Sequence, residues 1–162
     1  MFGWFKKEKL ASNLNKLFSN KDYTKIIEMT GEAIDQKMAT PYAHTFRIWA
    51  LVETKQIEKA FDACQLALSL YPNNAVFMSL SGEILYRLDR YEDAQKILKE
   101  ALEISPSNLQ IEYMLGLTYV AQGQLEEASE YFDSILRYDP TLLQTRLLAM
   151  AEHHAFLARK DR

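Results

Sequence analysis

Three prolines, Pro72, Pro106 and Pro140, stand 34 residues apart in a chain of 162. A period of that length admits few architectures, because each period must be one small unit stacked on the next. The same step runs through Ala60, Ala94 and Ala128, and through the apolar residues Tyr23, Ile57, Tyr91 and Leu125. Gly82 and Gly116 supply a fourth column in register. Four columns sharing one period are not an accident of composition.

Within each period, apolar residues recur at three and four. Met114, Leu115, Thr118 and Tyr119 make one such run, and Ala128, Tyr131, Phe132 and Ile135 make the next. That spacing predicts a pair of amphipathic helices. The runs are joined at Thr54-Lys55-Gln56, Leu88-Asp89-Arg90 and Gln122-Gly123-Gln124, polar stretches short enough to force antiparallel neighbours. Gly116 and Ala128 are expected where the two helices touch, since small side chains let backbones approach. Each proline closes its unit, because it cannot continue a helix and disfavours one at the preceding residue. Asn73-Asn74 and Ser107-Asn108 then offer turn and cap chemistry for the next helix.

The bulk properties agree with a folded helical chain. Apolar residues make up 48% and charged residues 25%, while 5 Gly and 4 Pro are too few for a turn-rich sheet protein. The net charge of −3 comes from 19 basic and 22 acidic residues spread along the chain, so no nucleic-acid partner is expected. Cys64 is the single cysteine, which excludes an intramolecular disulfide and points to a reducing compartment. No run approaches the roughly 20 apolar residues that span a bilayer. The opening Met1-Phe2-Gly3-Trp4-Phe5 places its aromatics before Lys6 and Lys7, the reverse of a secretory signal. The expected location is cytoplasmic.

These residues resemble the tetratricopeptide repeat, a 34-residue helix–turn–helix with the pattern W-x2-L-G-x2-Y, A-x3-F and P. Leu115-Gly116, Tyr119, Ala128, Phe132 and Pro140 carry the best match. The unit before it keeps Gly82, Ala94, Leu98, Ala101 and Pro106, with Ser81 for the Leu and Met78 for the Trp. The one before that keeps Ala60, Ala67 and Pro72, with Ile48 for the Gly. The resemblance implies an all-α, right-handed α-solenoid of helical hairpins with a terminal capping helix. Its units are 41–74, 75–108 and 109–142. They are preceded by an N-terminal segment plus degenerate repeat over 1–40, which keeps Tyr23 and Ala33 but has Leu14, Ile26 and Met38 in place of the Gly, Ala and Pro. They are followed by a capping helix and tail over 143–162, where the polar Arg146 and His153 suit an outer face that meets water. Three units with caps meet the usual minimum, so the chain is expected to be complete.

The family shares a scaffold and not an activity. Its concave face is lined by the first helix of each hairpin, and the resemblance implies that the second, fifth, ninth and twelfth places of that helix face a groove. In this chain they include Tyr42, Thr45, Trp49 and Val52, then Val76, Ser79, Glu83 and Tyr86, then Gln110, Tyr113, Leu117 and Val120, with Gln144, Leu147 and His154 from the last helix. Trp49, Tyr86 and Tyr113 stand out as rigid aromatics that bury much area for few torsions. Two readings stay open for them, contact with a partner and packing between units. One subset of the family grips a carboxylate with Lys and Asn. The corresponding Thr45, Trp49, Leu80, Gln110 and Met114 include neither, so an extended apolar protein segment is the better ligand.

Residues 1–9 form a second candidate. Trp4, Leu10, Ala11, Leu14 and Phe18 share one helical face, while Phe2 and Phe5 lie on the other with Lys6 and Lys9. Phe2, Trp4, Phe5, Lys6 and Lys7 are therefore either a surface anchor or the first turn of a capping helix. No phosphate-loop, dinucleotide, H-E-x-x-H or C-x-x-C motif occurs. His153 and His154 are adjacent and diverge on a helix. His44 and Cys64 fall at core positions, and Glu126-Glu127 fall on a solvent face. No catalytic residue, metal site or cofactor is expected, and the chain is read as a non-enzymatic scaffold or adaptor. The alternatives are a small secretion or assembly chaperone of the type III class, or a membrane-peripheral assembly factor anchored by residues 1–9.

Overall fold

A computed structural model describes residues 2–138, with side chains from residue 8 onward. The described residues form eight helices: α1 (Phe2–Ser19), α2 (Tyr23–Asp35), α3 (Pro41–Glu53), α4 (Ile57–Leu70), α5 (Ala75–Arg87), α6 (Tyr91–Ile104), α7 (Leu109–Ala121) and α8 (Leu125–Tyr138). The chain is an all-α helical repeat. Pro140 and the segment over 143–162, including Leu147 and the expected capping helix, lie outside the described residues.

The helix ends have chemical causes that recur with the period. Thr40, Asn74 and Asn108 cap α3, α5 and α7. Asn74 Oδ1 accepts from Val76 N at 3.0 Å and Phe77 N at 3.3 Å, and Asn108 Oδ1 from Gln110 N at 3.1 Å and Ile111 N at 3.3 Å. These bonds satisfy amide groups that the first helical turn leaves without partners. Inside each hairpin, the first helix ends in a Schellman-type turn. Asp22 N donates to Leu17 O, Gln56 N to Leu51 O, Arg90 N to Leu85 O and Gln124 N to Tyr119 O, each at 2.9 Å. The residue before each donor, Lys21, Lys55, Asp89 or Gly123, adopts the left-handed conformation that the turn requires.

Packing then orders the array. Each helix touches its neighbours in sequence, and the first helices also touch each other, α1 with α3, α3 with α5 and α5 with α7. No such contact joins α2 to α4, α4 to α6 or α6 to α8 among the described helices. First helices therefore form one layer and second helices another. The core runs between the layers in three stretches: around Leu14, Ile26 and Phe46, around Ile48, Leu51, Phe77 and Ile84, and around Leu98, Leu115, Phe132 and Ile135. Helix α7 is buried around most of its circumference, from Ile111 to Val120, as an almost uniformly apolar helix must be.

Candidate functional site

The layer of first helices presents a face whose chemistry follows from which residues escape the core. On α3, Tyr42 and Trp49 are 39% and 36% exposed, and on α5 Val76 is 53% exposed. Thr45, Ser79, Glu83, Tyr86 and Tyr113 are half-buried, and Gln110 is exposed. Val52, Leu117 and Val120 are buried, so they stand behind this surface and support it. Leu147 and the side chains of Phe2, Trp4, Phe5, Lys6 and Lys7 lie outside the described residues.

The three singled-out aromatics have different surroundings. Trp49 belongs to an aromatic cluster: its ring centroid lies 5.5 Å from Phe46 and 5.6 Å from Phe18 of α1. Tyr42 extends the cluster at 4.6 Å from Phe46, and its hydroxyl donates to Asn15 Oδ1 at 2.5 Å. Helix α1 thus closes one end of the face. Tyr86 leans on Tyr91 of its own hairpin at 5.6 Å, and Tyr113 leans on Phe132 at 6.2 Å. Each of these rings is held against the fold on one side. The periodicity identified the positions but not the clustering. Phe18 and Asn15 were missed because they come from the degenerate unit, where the family columns are weakest.

The charges of α3, α5 and α7 are few. They are Arg47, Glu53, Glu83, Arg87 and Glu112. Arg47 Nη1 donates to Ile27 O at 2.7 Å, and Gly31 leaves room for its guanidinium beside α2. Glu83 Oε1 accepts from Arg87 Nη2 at 2.8 Å. Glu112 is buried. The second helices carry the acidic and basic solvent face, for example Glu92, Asp93, Lys96, Lys99, Glu100 and Glu103 on α6 alone.

The nucleophile and imidazole candidates are core residues. Cys64 Sγ donates to Phe77 O at 3.2 Å, and burial pushes the thiol up to about 12 against a weaker opposing effect of Ser81. A thiol so held stays protonated at neutral pH. His44 is buried with its ring edge-on to Tyr71 and Phe77 at 6.0 and 6.5 Å, and burial, followed by the Arg47 charge, lowers its pKa. Among the described residues no group of three or more His, Cys, Asp or Glu converges on a point where a metal could sit.

Comparison with known proteins places this geometry. Residues 85–151 match the family model described as tetratricopeptide repeat. A TPR repeat-containing protein of Methanocaldococcus jannaschii is 25% identical over 122 residues, which is 74% of this chain and 21% of that protein. The BBSome complex member BBS4 of Bos taurus is 35% identical over 95 residues, 59% of this chain and 18% of that protein. The chain thus spans about a fifth of the length of these relatives. A thermophilic TPR protein from Thermus thermophilus has a similar structure, with a TM-score of 0.75 at 19% identity over 96% of this chain and 84% of that one.

Proposed function

The chain is a tetratricopeptide repeat protein, and from that premise we propose that it is a non-enzymatic scaffold whose inner face holds an extended, largely uncharged segment of a partner protein. The charge pattern of the first helices carries this reading. Of the five charges on α3, α5 and α7, Glu83 and Arg87 pair with each other, Arg47 is committed to a backbone carbonyl, Glu112 is buried, and Glu53 stands exposed at the end of α3. A charged tail would find little counter-charge on these three helices, whereas apolar side chains would find Tyr42, Trp49 and Val76 already desolvated in part. Amphipathic rings of this kind dominate binding energy because they lose little torsional freedom on contact. Thr45, Ser79 and Gln110 supply hydrogen-bonding groups for the backbone of an extended ligand.

The units over 41–74, 75–108 and 109–142 would each contribute one first helix to the face. A reducing, cytoplasmic setting fits the single buried thiol of Cys64. Site-specific photo-cross-linking tests the reading. A photoreactive residue at Ser79 should trap the partner in native cells, and the same group at Lys96 on α6 should not. Equal trapping at both positions, or trapping only at Lys96, would reject the inner face as the site.

A further inference from the structure

Helix α1 is longer than the other first helices. It has 18 residues, against 13 in each of α3, α5 and α7. Repeat register begins the first hairpin at residue 7, since α3 begins at residue 41. Residues 2–6 therefore continue the helix past the hairpin by about 8 Å, at 1.5 Å per residue. This extension and the turns next to it carry Phe2, Trp4, Phe5, Lys6, Lys7 and Lys9 against the single acid Glu8.

The antiparallel hairpin brings the end of α2 to the same end of the molecule. A cleft of about 260 Å³ opens there between α1 and α2, with Leu10, Met29, Ala33 and Met38 as its apolar walls and Lys9 and Glu32 at its edge. Lys37, exposed and in the left-handed conformation, sits in the turn beside Met38. Tertiary structure thus adds a fourth lysine and an open apolar cleft to the aromatic–basic segment. At this end Lys6, Lys7, Lys9 and Lys37 outnumber Glu8, Glu32 and Asp35, in a chain whose net charge is −3.

We propose that this end of the first hairpin docks on the surface of an anionic lipid bilayer. Aromatic residues favour the boundary between headgroups and acyl chains, and clustered lysines are drawn to anionic headgroups. Peripheral binding needs two signals, an apolar one and a basic one, and both meet here. No helix among the described residues is long and apolar enough to cross a membrane. If the inner face holds a partner as proposed above, this end would bring that partner to the membrane.

The test uses the full chain and vesicles of two compositions, an equimolar mixture of phosphatidylglycerol and phosphatidylcholine, and phosphatidylcholine alone. At low salt the protein should cosediment with the anionic vesicles only, and molar salt should release it. Each lysine contributes about a fivefold effect near an anionic surface, so Lys6→Glu combined with Lys7→Glu should weaken binding at least tenfold. Far-UV circular dichroism should show unchanged helicity in that variant. The chain has two tryptophans, Trp4 and Trp49, so in a Trp49→Phe background the Trp4 emission should shift blue on adding anionic vesicles. That readout stays decisive if a charge variant folds poorly. Failure of the full chain to bind anionic vesicles, or equal binding to both compositions, overturns the proposal. So does loss of a soluble protein partner on deleting residues 1–9 without any vesicle binding, which would make this end a protein contact.

Discussion

Gly116 of α7 faces Phe132 of α8 so closely that a Cβ on the glycine would lie 2.6 Å from the ring. The same relationship joins Gly82 to Leu98 one unit earlier, where a Cβ would lie 2.5 Å from Leu98 Cδ2. In α3 and α4 the sizes are exchanged. Ile48 takes the glycine place and Cys64 the large place, and both are fully buried. Leu14 and Thr30 repeat that exchange in the first hairpin. One helix–helix contact is thus filled by a larger and a smaller residue that can stand on either side, as close packing allows.

Overfilling that contact should unfold the hairpin. Gly116→Leu, Gly82→Leu or Ala94→Leu is expected to cost about 1–3 kcal/mol or more, read as a lowered urea midpoint. Gly82→Ile combined with Leu98→Cys copies the Ile48–Cys64 arrangement and should recover a large part of the loss. A double variant no more stable than Gly82→Ile alone would contradict the volume exchange.

The left-handed turn residues offer a gain in stability. Lys55 has φ +59° where the equivalent Gly123 has +78°. An L-residue in this region costs about 1–2 kcal/mol, and a glycine returns about 0.4–1 kcal/mol of that through unfolded-chain entropy. Lys55→Gly should therefore raise stability by about 0.5–1 kcal/mol, and Gly123→Ala should lower it by about 1 kcal/mol. Chemical denaturation of both variants checks the pair of opposite signs.

His44 should make the array acid-sensitive. Burial and then the Arg47 charge hold its folded pKa below the ordinary 6.5. As pH falls through 6.5, the unfolded chain takes up this proton before the folded one does. Stability is then lost with falling pH until the folded value is reached, with a slope no steeper than one proton. His44→Met, which copies Met78 at the equivalent place, should flatten this part of the profile. Unfolding free energies of parent and variant between pH 7.5 and pH 5 measure the difference.

Partner contact and packing separate at Trp49 and Tyr113. Truncating a binding hot spot costs about 2 kcal/mol or more, near thirtyfold in affinity. Removing a fully packed aromatic costs the fold about 3–5 kcal/mol. Trp49 is 36% exposed, so Trp49→Ala should weaken partner capture about thirtyfold while its melt falls by less than a fully buried ring would cause. Tyr113→Ala should weaken capture as well. Normal melting with full capture in both variants would move the binding site off the inner face.

Much of the architecture is written locally. The 34-residue step, the cap residues Asn74 and Asn108 and the polar joins at Lys55, Asp89 and Gly123 specify helix ends through bonds made within a few residues. Such bonds depend on residue type and spacing alone, so the sequence by itself determined where the helices end and how they recur, while contacts between helices decided the layer each one joins. The surface could not be read that way. Leu117 occupies the helical place of the exposed Trp49, and Val52 and Val120 that of the half-buried Tyr86, yet all three are buried. Trp49 owes its surroundings to Phe18, 31 residues earlier in the chain, and Lys37 comes to the end where α1 begins only because α2 runs antiparallel to it. Exposure and clustering depend on contacts between distant segments, which no local spacing encodes. Tertiary structure alone decided which of the predicted groove residues meet solvent.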